Sequence, residues 1–190
     1  MTVAISLDLE TLSTHKNAVV VSIGASTVYL DGTPEETIHI FPDVQRQIDM
    51  GRHVSFDTIK FWLQQDMAAI QGTFFLREVA DVPLSLTMLR LWMERFGSPP
   101  VWTKGPAFDG AIIESLAEDF GLTSPIGYKM HRDVRTIDDA AHFREDDSFY
   151  ESYRRVVENS REGRTVHDAV DDSLMQGDVV RWWLKQVRGT

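Results

Sequence analysis

The sequence predicts a mixed α/β fold, and three observations lead there. Val3, Ile5, Leu7 and Leu9 alternate with Ala4, Ser6, Asp8 and Glu10, the two-residue period of a strand. Two further β-branched stretches follow, "NAVVVSIGASTVYL" (17–30) and "ETIHIF" (36–41), parted by the turn signal "DGT" at 31–33. Beyond them, helical periodicity takes over and alternates with short strand-like segments. A three-strand meander followed by helices and strands in alternation is the expected layout.

Each later element has its own signal. "SFDTIKFWLQQDMAAIQ" (55–71) spaces Ile59, Trp62, Leu63, Ala69 and Ile70 on one helical face, with Ser55 as its expected N-cap. "PLSLTMLRLWMERFG" (83–97) reads as a second helix stopped by Gly97. "PPVWT" (99–103) is a short strand entered from a proline turn, and "KGPAFDG" a loop. A third helix covers 110–121 and ends at Gly121. Residues 127–143 read as a strand or a short helix, and 144–164 as charged loop with a helical piece. "HDAVDDSLMQGDVVRWWLKQV" (167–187) is a terminal helix whose Trp182, Trp183 and Leu184 anchor it to the core.

Bulk properties narrow the function. The 190 residues and 43% hydrophobic content suit one domain, residues 1–190, with a real core. No repeat, linker or low-complexity segment divides it. There is no cysteine, so disulfides and thiolate metal sites are excluded, and a reducing bacterial or phage-infected host cytoplasm is the expected location. No secretory signal and no bilayer-spanning run is visible, so no membrane role is expected. A net charge of −10 disfavours wrapping long duplex nucleic acid through a basic face. It leaves room for a small site that takes one strand end.

The acids carry the chemistry. Asp8 and Glu10, two apart on a strand, project from one face. Buried and unpaired, they would repel, and at least one would protonate; a divalent cation removes the conflict. With no Cys and no His cluster, hard oxygen ligands point to Mg²⁺ or Mn²⁺ rather than Zn²⁺. The plainer alternative is an exposed edge strand or an Arg partner. Asp109 stands where a loop hands over to a helix and, taken alone, reads best as an ordinary N-cap. His167 starts the terminal helix, Asp172 lies in its first two turns, and Ala169 between them lets that face approach the sheet. Some His…Asp pair is inevitable in this composition, and Asp168 suits the helix dipole. Yet a mobile His167 at the mouth of an acid cluster, able to swing over it, is well placed as a general base near neutral pH.

Taken together and in order, "DLET" (Asp8, Glu10), "FD" (Asp109) and "HDAVDD" (His167, Ala169, Asp172) resemble the three motifs of the DEDDh 3′→5′ exonucleases of ribonuclease H-like fold. Ribonuclease T, oligoribonuclease and proofreading domains belong to that group. The flanks at Val20 to Ala25, "IKFWLQQ" (59–65) and "RDVRT" (132–136) are similar to a narrower branch. It holds phage exonuclease A-type, exodeoxyribonuclease VIII-like and mycobacterial-type exoribonuclease proteins. That branch often carries Asn where Lys104 and Gly110 stand here.

The resemblance implies a ribonuclease H-like sheet of three antiparallel strands followed by parallel ones, flanked by helices. It implies that Asp8, Glu10, Asp109 and Asp172 hold two Mg²⁺ or Mn²⁺ ions about 3.5–4 Å apart, with His167 as general base. The expected reaction is release of 5′-mononucleotides from single-stranded DNA or RNA 3′ ends. By the same analogy Thr11 and Leu12 lie beside the terminal nucleotide, their backbone N–H groups near its 3′-hydroxyl. Phe108 and Trp62 offer stacking faces, with core packing the stronger alternative for Trp62. Lys104, Arg132 and Arg135 are candidate phosphate contacts, with plain surface charge the equal alternative. Several members of the superfamily pair as homodimers, so the resemblance leaves a homodimer open. The rival readings are a non-catalytic ribonuclease H-like module that binds nucleic acid or protein, and an endonuclease of the same fold.

Overall fold

A computed structural model describes residues 2–75, 78–144 and 146–189. Its centre is a five-stranded sheet of order β3-β2-β1-β4-β5. β1 (Ala4–Thr11), β2 (Val20–Val28) and β3 (Thr37–Ile40) form the expected antiparallel meander. β4 (Val101–Thr103) and β5 (His131–Asp133) add on in parallel beside β1. β1 and β4 therefore open their carboxyl ends at the same edge of the sheet, where open α/β sheets place their ligands.

The alternation in β1 sorts its two faces. Ile5, Leu7 and Leu9 enter a core shared with Leu86, Leu89, Trp92, Met93, Ile112 and Leu116. Those residues come from α4 (Val82–Glu94) and α5 (Asp109–Asp119). Ala4 on the opposite face joins a second core with Val134, Ile137, Phe149, Tyr153, Val180 and Trp182. That layer is built from α6 (Arg135–Phe143), α7 (Asp147–Asn159) and α8 (Ala169–Arg188), with Val134 just ahead of α6. As its tryptophans predict, α8 is tied down: Trp182 is buried and its Nε1 donates to Ser152 Oγ at 2.9 Å.

Several details differ from the pattern read along the chain. The helical stretch 55–71 is two helices, α2 (Phe56–Trp62) and α3 (Met67–Phe74), because Asp66 leaves the helical region with ψ 147° and restarts the chain. Ser55 sits at the N-cap of α2 but caps it only through its backbone; its side chain makes no cap hydrogen bond. A short helix, α1 (Val44–Asp49), has no counterpart in the sequence reading. Residues 131–143 are both of the alternatives, a three-residue strand and then α6. Among the described residues no helix is long and apolar enough to cross a membrane.

How closely α8 lies on the sheet decides where the site forms. Gly24 of β2 faces the start of α8 so tightly that a Cβ there would stand 2.1 Å from the Ala169 carbonyl carbon. One turn on, Ser26 Oγ donates to the Ser173 carbonyl at 3.1 Å, and Gly177 faces Ser6 and Ser26. Gly24 pairs with Asp8 across the β1–β2 ladder, so the contact point and the first acid are neighbours. The ladder also shifts register between Glu10 and Thr11, a bulge at the second acid.

Gly24→Ala tests this contact. The added methyl has backbone in its way, so unfolding stability should fall by about 1–3 kcal/mol, the usual range for overpacking. The same change should shift Asp172 relative to β1, because α8 carries it. Wild-type stability in chemical denaturation would remove this contact from the account.

Candidate active site

Four carboxylates reach one cleft from three places remote in the chain. Asp8 and Glu10 come from the end of β1, Asp109 from the first turn of α5, and Asp172 from the first turn of α8. The cleft encloses about 530 Å³ and also receives His167, Phe108, Lys104 and Gln176. Glu10, Asp172 and His167 form its tightest group, each offering a ligand atom within 4.8 Å of the others. Asp8 and Asp109 line the same cleft without joining that triple.

Local structure explains each position. Asp109 is not the cap of α5: Phe108 holds that place, and Asp109 is the first helical residue, 3% exposed. Its own N–H donates to the Gly105 carbonyl at 3.1 Å, and the nearby backbone of Asp109 and Leu9 favours its charged form. Asp168 is the N-cap of α8, accepting from the amides of Val170 and Asp171 at 3.0 and 3.2 Å. Asp172, one turn in, is thereby free to face β1. Its Oδ2 accepts from the His167 N–H at 3.1 Å.

Both the backbone and the ring of His167 have partners. Its φ of 65° lies in the left-handed region, uncommon for a residue with a side chain. Its carbonyl accepts from Thr73 Oγ1 at 3.2 Å, and its ring stands edge-on to Phe61 at 5.0 Å and to Trp62 at 6.4 Å. Neither Thr73 nor Phe61 carries a sequence signal for this role, since the contacts join residues about a hundred positions apart. Gln176 is a further residue outside the sequence reading. It donates Nε2 to Asp8 Oδ1 at 2.8 Å. Its position four after Asp172 puts both on one helix face, which was a readable sign.

The candidate substrate contacts divide. Phe108, Lys104 and Arg135 line the cleft. Thr11, Leu12 and Trp62 are not among its lining residues. Trp62 is 5% exposed, packed against Phe61 and Phe74, with its Nε1 donating to the Thr11 carbonyl at 3.0 Å. Its ring belongs to the packing behind His167 and offers no stacking face to the cleft. The Leu12 N–H donates to Val19 at 2.9 Å, so it is committed within the fold. Arg132 folds back onto the carbonyls of Lys129 and His131 and does not line the cleft.

The acids resist ionisation together. Burial pushes the Asp8 carboxyl well above the usual carboxylate range, and the charges of Asp109, Glu10 and Asp172 push it further, with Gln176 opposing. Asp8 keeps a partly open face toward the cleft, yet protein surrounds it on its other sides. Glu10 is raised by burial and then by Asp172, Asp168 and Asp109. Asp109 is pushed up to about 7 by burial, against the nearby backbone of Asp109 and Leu9 and the charge of Arg135. Asp172 is pushed up to about 6 by burial, against the His167 N–H and Lys104. Burial lowers the pKa of His167, favouring neutral imidazole.

These residues fit a hard divalent cation. Glu10 Oε1 is buried and has no hydrogen-bond partner among the described residues. A buried carboxylate oxygen without a donor is the ligand a cation satisfies and water-free protein does not. The charged donor set is carboxylate oxygen with one imidazole and no thiolate, which suits Mg²⁺ or Mn²⁺.

The sheet order, the layers and the acid constellation define a DEDDh-type 3′–5′ exonuclease of ribonuclease H-like fold. Residues 3–182 match the model of the "3′-5′ exoribonuclease Rv2179c-like domain", and the chain belongs to that family. Among solved structures it is similar to the nuclease domain of 3′hExo, a DEDDh family member bound to rAMP. The TM-score is 0.61 at 12% identity, over 96% of this chain and 92% of that one. No curated protein matches the chain by sequence.

The raised carboxyl pKa values set the pH dependence of stability without a cation. Asp109 and Asp172 hold their protons to higher pH folded than unfolded, where the carboxyl value is 3.8. Their contribution is therefore full below that value and is lost as pH rises through about 6 and about 7. In EDTA the melting temperature should be lower at pH 8 than at pH 5, and Asp109→Asn should flatten the slope. Mn²⁺ should raise the melting temperature more at pH 8 than at pH 5. An EDTA profile that rises over this interval would contradict the assignment.

Proposed function

We propose that the chain removes 5′-mononucleotides one at a time from the 3′ end of single-stranded RNA, with two Mg²⁺ or Mn²⁺ ions held by Asp8, Glu10, Asp109 and Asp172 and with His167 as general base. The observation that carries this reading is the convergence of those carboxylates and His167 on one cleft, with Glu10 Oε1 buried and unpartnered. The RNA preference rests on the family's description as exoribonuclease and on the rAMP bound by the structural relative.

Divalent cations held here would lower the pKa of a water and offset the charge that builds on the phosphate. The chain's own residues do the rest. The attacking water gives its proton to a ring nitrogen of His167, which burial keeps neutral and ready to accept. The packing of His167 against Phe61 and Trp62, with its backbone held by Thr73 and Asp172, fixes where that nitrogen stands. The water oxygen bonds to phosphorus, the bond to the 3′-oxygen of the preceding nucleotide breaks, and that oxygen takes a proton from solvent to become the new 3′-hydroxyl, while His167 returns its proton to solvent. Phe108 at the cleft wall offers the terminal base an aromatic face. Lys104, Arg135 and Arg161 line the cleft as well, and meet the phosphates of the incoming strand. Cations at the cleft, supplied by side chains and bound ions, reconcile an acidic chain with an anionic substrate.

Matched 3′-labelled RNA and DNA oligomers, single- and double-stranded, test the reading with each metal in turn. Labelled mononucleotide should be released from single-stranded RNA in a metal-dependent reaction. Faster release from DNA would overturn the RNA preference, internal cuts in a circular single strand would mark an endonuclease, and no release with either metal would sink the enzyme. Asp8→Ala and Asp172→Asn should each abolish turnover in a folded protein. His167→Ala should slow it by roughly 10²–10⁴-fold; a rate within a few-fold of wild type would remove His167 from the mechanism.

A further inference from the structure

We infer that Gln176 is a positioning residue for the cation site, fixing the Asp8 carboxylate so that one oxygen stays available to the metal. The inference rests on the metal-dependent reading above and extends it to a residue outside the acid set. Gln176 lies on α8 one turn beyond Asp172, 8% exposed, with Nε2 2.8 Å from Asp8 Oδ1. Donation to Oδ1 stops the carboxylate from turning and leaves Oδ2 as the oxygen for a cation. It also joins α8 to β1 at the site, so the two elements that carry Asp172 and Asp8 are held in register.

The residue type supports a role in the site over a role in packing. Gln176 Oε1 is buried and has no hydrogen-bond partner among the described residues. Packing alone favours an apolar side chain there, since an unpartnered buried amide oxygen is unfavourable. Its helix neighbours Val179 and Val180 show that such residues fit this layer. An Arg or Lys in its place would form an ion pair with Asp8 and compete with the cation. A neutral amide donates a hydrogen bond without cancelling the charge that binds metal. Outer partners of metal ligands commonly change affinity about 10–100-fold when removed.

The test is Mn²⁺ binding to the full chain by isothermal titration calorimetry, with melting in EDTA measured alongside. Gln176→Leu removes the donor at similar volume, and Gln176→Met repeats the change with an unbranched chain if the first variant folds poorly. Both should bind Mn²⁺ about 10–100-fold more weakly than wild type while melting in EDTA at the wild-type temperature or above. Turnover should return to within a few-fold of wild type when Mn²⁺ is raised to saturation. Unchanged Mn²⁺ affinity in a folded variant overturns the inference, whether or not the melting temperature falls. Failure of the wild-type chain to bind Mn²⁺ would instead sink the metal-dependent reading on which it stands.

Discussion

The contact on which the site depends is the seating of α8 against β2 at Gly24. A helix packed on a sheet through ordinary side chains stands about 10 Å away, as sheets do from each other. Here backbone meets backbone, with Gly24 beneath Ala169, Ser26 bonded to Ser173, and Gly177 over Ser6. Small residues on both partners let the start of α8 settle deeply. That depth carries Asp172 and Gln176 to the strand that holds Asp8 and Glu10. The apolar anchoring lies elsewhere on the helix, at Val180 and Trp182, which pack with α7. Adhesion and close approach are thus divided along one helix, and neither compromises the other.

Such closeness concentrates negative charge where water is scarce. Burial is what raises Asp109 to about 7 and Asp172 to about 6, while Asp8 and Glu10 are raised by burial and by the neighbouring acids as well. The fold supplies some relief of its own. The nearby backbone favours the charged form of Asp109, the His167 N–H donates to Asp172, and Gln176 donates to Asp8. Glu10 gets no such donor at Oε1. The protein thus gives Asp8, Asp109 and Asp172 some relief and leaves the remainder, Glu10 above all, to be met by something positively charged. This sits well with a chain of net charge −10 whose substrate is also an anion.

Much of this was legible in the sequence because it is local. The β1 alternation, the meander and the Trp-anchored terminal helix follow from periods of 2 and 3.6. The acids could be picked out because each sits at the edge of a regular element, and their order carried the family resemblance. The misreadings have a common cause in tertiary geometry. Asp109 looked like a cap because a cap and a first-turn acid differ by one residue in a loop whose path the sequence leaves open. Trp62 reads from its apolar helix stripe as core more than as a stacking face, and it is buried; what the sequence leaves unseen is its partner, the Thr11 carbonyl 51 positions away, which accepts from its indole N–H. Gly24 passed unnoticed because a glycine in a strand shows its purpose only when the element above it is known.

His167 shows how strain and function meet at this edge. The turn before α8 must bring the chain in low over the sheet, and it does so by putting a side-chain-bearing residue at φ 65°. That conformation costs on the order of 1–3 kcal/mol and persists only where the surroundings impose it. The surroundings are Asp172 at its N–H, Thr73 at its carbonyl, and Phe61 with Trp62 against its ring. Those partners come from α2, α3 and α8, so the imidazole is aimed by three elements at once. A mobile histidine would be a base only when it happened to swing in. One fixed in this way keeps its ring nitrogen beside Glu10 and Asp172, which is the placement that the proposed role of general base requires.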